Sequence, residues 1–373
     1  MAELYGLEFL CADVRKAEKL FVERLSLVTV ATCGQNVVLQ RNEVLLVLRP
    51  ATCEKDRDIL HKSGTICNNV VFKVPQLHAA YDRATRAGAK VVHQPRSLTD
   101  VGGTVGTFTI SSPFTNVTHT VVNTDKYNGI YLPGYELSIT SGASDTTCSG
   151  ISHVDHIAYA CNTGSSESVL KWYEDCLGFT RFRLGAESDQ LTVDCSGGGL
   201  KLLAMEYWRC AEKGVRSGGV NDIKLVLVES LPNSGRNQVS TFLSNNNGPG
   251  VQHIAFHTSD IISTTATLRE QGLSIIYPPV EYYSLPLPIA SIVDLVGHNT
   301  RSLQENGILL DAEADESSPN SKRHLMQVFT EPLFDRDTFF IELIQRCGAT
   351  GFGAANITAL YHALELHLKT SGQ

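Results

Sequence analysis

The sequence predicts an α+β protein of two domains, each built from a pair of βαβββ modules. Three observations predict it: four strand–helix segments that repeat along the chain, β-rich runs after the helices, and a Gly/Ser/Thr/Pro-rich stretch between the second and third copies. In 373 residues, four copies leave about 90 residues each, enough for one small module and its loops.

The first copy reads Gly6-Leu-Glu-Phe-Leu-Cys-Ala-Asp13, then VRKAEKLFVERL, then the β-rich VVLQ and EVLLVLR. The second places Asn69-Val-Val-Phe-Lys-Val-Pro-Gln76 before LHAAYDRATRAG. The third runs His156-Ile-Ala-Tyr-Ala-Cys, a slightly longer turn, SSESVLKWYEDCLGF, and the runs LTVDC and LKLLAME. The fourth is His253-Ile-Ala-Phe-His-Thr-Ser-Asp260 followed by IISTTATLREQG. In every copy an aromatic residue (Phe9, Phe72, Tyr159 or Phe256) stands three residues after the first position, and alternation of period two gives a half-buried strand. The helices show 3.6-residue spacing, as in Ile261, Thr265 and Leu268, with Ser259 or Asp260 as the N-cap and Gly272 as the stop. The linker KYNGIYLPGYELSITSGASDTTCSG sets the boundary near residues 130–150, between an N-terminal domain at 1–135 and a C-terminal domain at 151–346. The acidic run from Asp311 to Lys322 reads as a surface insertion. Residues 347–373 form a terminal loop and the helix NITALYHALELHL, with Asn356 as its cap.

Composition excludes several function classes. With 31 Lys+Arg against 39 Asp+Glu the net charge is −8, and no basic run offers a footprint for nucleic acid or an anionic membrane. No apolar run approaches the ~18 residues of a membrane-spanning helix. The ten cysteines are scattered and none forms a CxxC pair, which reads as free thiols used as small hydrophobes in a reducing compartment. Glu3 and Glu8 fall where a secretory signal would need an apolar core, and they fit an Arg-rich transit peptide poorly, so an intracellular protein is expected.

The chemistry is suggested by one position compared across the copies. Gly6 and Asn69 occupy it in the first half, His156 and His253 in the second. A third candidate is Glu342 in the apolar strand Thr338-Phe-Phe-Ile-Glu342-Leu-Ile-Gln-Arg346, where an unpaired carboxylate would be costly unless it meets a cation. Two imidazoles and a carboxylate on separate strands make the facial set that non-haem Fe(II) oxygenases use, with positions left open for substrate and dioxygen. Taken singly, a strand histidine is more often a hydrogen-bonded core residue, and Glu342 could instead pair with Arg346 or with an arginine of another strand. Separations of 97 and 89 residues do not by themselves place the three together. His119, His153 and His257 read as structural: one lies in the metal-free half, one before the third strand, one on a solvent side.

At these residues the chain resembles the 4-hydroxyphenylpyruvate dioxygenase family. The blocks YNGIYLPGY, HVDHIAYA, LKWYEDCLGF, GPGVQHIAFHTSDI, PPVEYY, LMQVFTEPLF, FFIELIQR and GATGFGAANITALYHALE occur in that family's order and spacing over nearly the whole chain. The resemblance implies the paired vicinal-oxygen-chelate fold, with the C-terminal half forming an open barrel around the metal, and Fe(II) as cofactor on His156, His253 and Glu342. It also implies catalytic or substrate-facing roles for Gln252, Gln327, Phe329, Phe340 beside the metal, Phe352 in the GFG loop, and Gln238 in NQVSTFL. The partners it implies are 4-hydroxyphenylpyruvate, dioxygen and a second copy of the chain in a homodimer. Read as residues alone, the three phenylalanines could simply be core, whereas amides on apolar strands need buried hydrogen-bond partners.

One departure bears on the product. Ring-hydroxylating members carry a Pro-x-Asn-Glu-Pro-type segment, and here the stretch is Val226-Leu-Val228-Glu229-Ser230, with valine in place of the polar asparagine. Its apolar residues resemble those of 4-hydroxymandelate synthases, so benzylic attack giving 4-hydroxymandelate is expected over ring attack giving homogentisate. Likeness to the animal dioxygenase-like branch implies a mitochondrial location, with the cytosol as the alternative. Rival readings are a homogentisate-forming dioxygenase, a non-catalytic binding protein of the same fold, and a glyoxalase- or extradiol-type enzyme using another divalent metal.

Overall fold

The computed structural model describes residues 2–138, 150–182, 190–195, 198–207, 223–278, 282–283, 299–312, 323–353, 356 and 358. The first half runs β1 (Glu3–Leu10), α1 (Val14–Leu25), β2 (Val28–Cys33), β3 (Asn36–Arg41), β4 (Val44–Arg49), α2 (Glu54–Ser63), β5 (Ile66–Lys73), α3 (Leu77–Arg86), β6 (Val91–Asp100), β7 (Gly103–Ser111), β8 (Thr118–Tyr127) and β9 (Glu136–Leu137). The second runs β10 (Ile151–Cys161), α4 (Ser166–Leu177), β11 (Phe179–Phe182), β12 (Gln190–Cys195), β13 (Gly198–Tyr207), β14 (Lys224–Ser230), α5 (Gln238–Asn245), β15 (Gly250–Thr258), α6 (Ile261–Glu270), α7 (Thr300–Glu305), β16 (Leu309–Ala312), β17 (His324–Phe329) and β18 (Phe340–Cys347).

The four expected strand–helix starts are β1–α1, β5–α3, β10–α4 and β15–α6. Local chemistry sets their ends. Asp13 accepts from the Lys16 amide to cap α1, and Asp260, one of the two expected caps, accepts from the Ser263 amide to start α6. Three things differ from the sequence expectation. The third copy has four strands after its helix, with β12 pairing β13 beside the main path. His153 lies within β10 rather than before it. Helices α2, α5 and α7, of ten, eight and six residues, fill connections between strands and lie outside the four strand–helix repeats.

Each half folds into one mixed sheet with the same core wiring. In the first, β1 pairs β5 antiparallel, β1 pairs β4 parallel, and β5 pairs β8 parallel. In the second, β10 pairs β15 antiparallel, β10 pairs β14 parallel, and β15 pairs β18 parallel. The strand period then sorts residues by face. The repeated aromatics Phe9, Phe72, Tyr159 and Phe256 all enter one buried cluster that both halves share. Their alternates Ala158, Ala160, Val226 and Val228 form a separate inner cluster in the second half. The halves are tied further by polar contacts: His119 Nε2 lies 2.8 Å from the Tyr173 hydroxyl, and Arg336 Nη2 donates to the His61 carbonyl at 2.8 Å.

Seven cysteines among the described residues are free thiols. Among those residues, no helix is long and apolar enough to cross a membrane. The acidic stretch expected as an insertion falls outside the described residues beyond Ala312, as do residues 139–149 of the linker between the halves and most of the terminal helix.

Candidate metal centre

The second half brings its two histidines and Glu342 to one point. β10 and β15 pair Ala158 with His253 and His156 with Ala255, while β15 and β18 pair Ala255 with Glu342. The three side chains therefore rise from the inner face of three adjacent strands, and their ligating atoms lie within 4.8 Å of one another. His156 Nε2 stands 3.3 Å and His253 Nε2 3.4 Å from Glu342 Oε2. His156 and Glu342 are 3% and 2% exposed, so water contributes almost nothing to solvating this carboxylate.

The donor set fits a divalent cation. Burial by itself would raise the Glu342 carboxyl, yet the His156 imidazole and the hydrogen bonds of both histidines bring it down to about 2, so it is an anion at neutral pH. Among the described residues it meets no lysine or arginine; its one further polar neighbour is the Gln327 amide, donating to Oε1 at 2.8 Å. Among the described residues His253 Nδ1 is buried without a hydrogen-bond partner. His156 Nδ1 is turned to Asp155 at 2.9 Å, which leaves Nε2 to face inward as the lone-pair nitrogen. A buried carboxylate flanked by two inward nitrogens is stabilised best by a metal ion.

The remaining sequence-predicted residues line one cavity with this set: Gln238, Gln252, Gln327, Phe329, Phe340, Phe352, Val226 and Val228, together with Ala158, Leu200 and Leu202. Phe340 stacks on the His253 ring at 4.7 Å, and Phe352 meets the His156 ring edge-on at 5.1 Å. The side-chain amides of Gln238 and Gln252 make no hydrogen bond among the described residues, leaving both for a polar guest. The opposite wall, Leu200, Leu202, Val226 and Val228, is apolar. Glu229 points away from it, accepting from the Ser166 amide at 2.9 Å. The GFG loop closes tightly over Gln327. At Gly353, with φ of +72°, any Cβ would collide with the Gln327 side chain, so only glycine lets the backbone approach.

Three site residues had no clear signal in the sequence. Asp155, buried, and Arg346, partly buried, form an ion pair behind His156, with Nε to Oδ2 and Nη2 to Oδ1 both 2.7 Å. Arg346 thus belongs to Asp155, not to Glu342. Asn356, expected as a helix cap, is buried and donates to Gln327 Oε1 at 2.9 Å while accepting from the Tyr282 hydroxyl at 3.0 Å. That bond fixes which way the Gln327 amide faces, and hence its hydrogen bond to Glu342. The adjacency of Asp155 to His156 was the one hint available in advance. His153 and His257 stay outside the triad: their rings stack at 4.5 Å and both Nδ1 atoms meet the Ser152 hydroxyl.

Among the described residues of the first half the same wiring holds no such set. Register places Gly6, Asn69 and Thr120 where His156, His253 and Glu342 stand. A Cβ on Gly6 would lie 2.9 Å from Leu45 Cδ2, so there is no room for a ring. Asn69 donates to Thr120 Oγ1 and to Glu8 Oε2, and Tyr131 donates to Glu8 Oε1, which leaves these groups satisfied without an ion.

Fold and site together define a protein of the vicinal-oxygen-chelate type with a candidate metal centre in its second half. The Glyoxalase/Bleomycin resistance protein/Dioxygenase superfamily profile matches residues 153–298. A 4-hydroxyphenylpyruvate dioxygenase-like protein of Mus musculus is 36% identical over 314 residues, covering 82% of this chain and 78% of the relative. A 4-hydroxyphenylpyruvate dioxygenase of Dictyostelium discoideum is 30% identical over 341 residues, covering 90% and 88%. Among solved structures, a triple mutant of 4-hydroxymandelate synthase from Streptomyces coelicolor superposes with a TM-score of 0.80 at 25% identity, covering 98% of both chains. The chain belongs to the 4-hydroxyphenylpyruvate dioxygenase family.

Proposed function

We propose that this chain is a ferrous-iron dioxygenase acting on 4-hydroxyphenylpyruvate, with 4-hydroxymandelate as its favoured product. The observation that carries the reading is the buried Glu342 anion facing two inward imidazole nitrogens at 3.3 and 3.4 Å, in a chain of this family. His156, His253 and Glu342 hold the iron, which when bound supplies the redox chemistry that couples dioxygen to oxidative decarboxylation of a 2-oxo acid. Gln252 and Gln238, unpartnered among the described residues, offer their amides to the polar end of the substrate, and Gln327, itself held by Asn356, orients Glu342. Phe340 and Phe352 pack against the two imidazoles and keep bulk water from the centre, while Phe329 completes the aromatic wall.

The product reading rests on the apolar wall. Val226 and Val228 offer no hydrogen bond to a phenol at the position where a ring-hydroxylating relative would present an amide. A ring without that anchor is not held with its own carbon toward the metal, and the benzylic carbon is presented instead. Either outcome consumes one dioxygen and releases one carbon dioxide, so the two products are isomers that mass alone does not separate. The experiment is turnover of 4-hydroxyphenylpyruvate by the iron-loaded chain with oxygen uptake recorded and products resolved by chromatography against both standards. Oxygen uptake with 4-hydroxymandelate as main product is expected; homogentisate would overturn the product assignment, and no uptake by iron-loaded protein would overturn the activity. A mitochondrial location belongs to the same reading on resemblance alone, and cell fractionation tests it.

A further inference from the structure

Behind His156 a closed ring of contacts joins the metal centre to the loop that walls the cavity. Asp155, 5% exposed, accepts from His156 Nδ1 and receives both arms of the Arg346 fork. The third nitrogen of that guanidinium, Nη1, donates to the Gly351 carbonyl. Its face covers the Phe352 ring at 5.5 Å, and Phe352 returns to His156 edge-on at 5.1 Å. Arg346 lies four residues beyond Glu342, two strand periods on and so on the same face of β18, and one strand carries both the carboxylate of the triad and the arginine behind it.

We infer that Arg346 is a positioning residue that sets metal-ligand orientation and loop closure together: through Asp155 it fixes the tautomer and direction of His156, and through Gly351 and Phe352 it holds the aromatic wall. This rests on the proposed reading of His156 as a metal ligand. The physical case has two parts. A buried ion pair is a poor source of net stability, because desolvating two charges offsets most of their attraction, so its place beside the triad calls for another reason. The planar guanidinium is also the one side chain that can serve a carboxylate bidentately, a carbonyl with its remaining nitrogen and a ring with its face at once; lysine cannot. Removing the fork frees the imidazole to turn and the loop to open.

The test uses the full-length metal-free chain, titrated with Co(II) and followed by its visible d–d absorption, with hydrogen exchange over residues 348–353 measured in parallel. For Arg346→Lys, Co(II) affinity is expected to fall about tenfold, with an altered d–d spectrum and faster exchange in the loop. Asp155→Asn should do the same, because the fork loses its anchor. A purely structural role would lower the melting temperature and leave spectrum and loop exchange as in the parent. Parent-like affinity in Arg346→Lys, or lost affinity with unchanged loop exchange, would overturn the coupling. If either single variant does not fold, the doubly neutral Asp155→Asn/Arg346→Met chain supplies the same comparison. Should the parent itself bind no Co(II), the ligand reading fails, while loop exchange in the variants still decides whether Arg346 holds the loop.

Discussion

Thr120 holds the place in the first half that Glu342 holds in the second: β8 sets Thr120 opposite Val71 of β5, as β18 sets Glu342 opposite Ala255 of β15. The hydroxyl is hydrogen-bonded to Asn69 within 2.9 Å, whereas the carboxylate faces two imidazoles. One chain thus contains a metal-ready site and a satisfied, metal-free copy of it.

Metal stoichiometry follows from that pair. The chain should bind a single Fe(II) or Co(II), and Glu342→Ala should lower affinity more than 100-fold, since a missing ligand costs more than a missing outer partner. Elemental analysis after desalting checks both; a second tightly bound ion per chain would contradict the reading of the first half.

Product choice should respond to the apolar wall. Val228→Asn introduces a hydrogen-bonding amide worth about 1 kcal/mol, which corresponds to a several-fold shift of product ratio toward homogentisate. Chromatography of the two isomers reads the ratio directly, and an unchanged ratio would remove Val228 from the account of specificity.

His119 makes stability depend on pH. Full burial holds its imidazole neutral, lowering it to about 3, while an unfolded chain carries it near 6.5. Between those values the unfolded state binds a proton that the folded state does not. The contribution is fully present above pH 6.5 and is lost as pH falls toward 3, at about 1.4 kcal/mol per pH unit. Urea unfolding at several pH values should show that slope, and His119→Gln should flatten it.

The shared aromatic core predicts a cost that spans both halves. Phe9 packs edge-on against Phe339 at 5.2 Å and Phe334 at 6.2 Å, across the boundary between the sheets. Phe9→Ala should destabilise the protein by about 3–5 kcal/mol. A single cooperative transition, shifted as a whole, is the expected melting behaviour; loss of the first half alone would mean that the halves do not share one core.

The four-copy repeat, the α+β class and the positions of His156, His253 and Glu342 were legible in the sequence. Strand period and helix spacing are local properties, and a repeated position that changes from glycine and asparagine to histidine is visible without any contact. Thr120 was not legible, because its equivalence to Glu342 depends on the register of β5 with β8. Arg346 could be given only Glu342, its neighbour on the same strand, as a candidate partner: folding is what brings it against Asp155, 191 residues away in sequence. Asn356 reads as a cap because asparagine favours caps, whereas its bonds to Gln327 and Tyr282 come from segments distant in sequence and carry no local signal. The sequence by itself determined which residue types recur and where each strand presents them. Only the tertiary structure decided which of them meet, because curling the sheet sets the pairing of side chains on separate strands, and burial then makes each unpaired polar group find a partner.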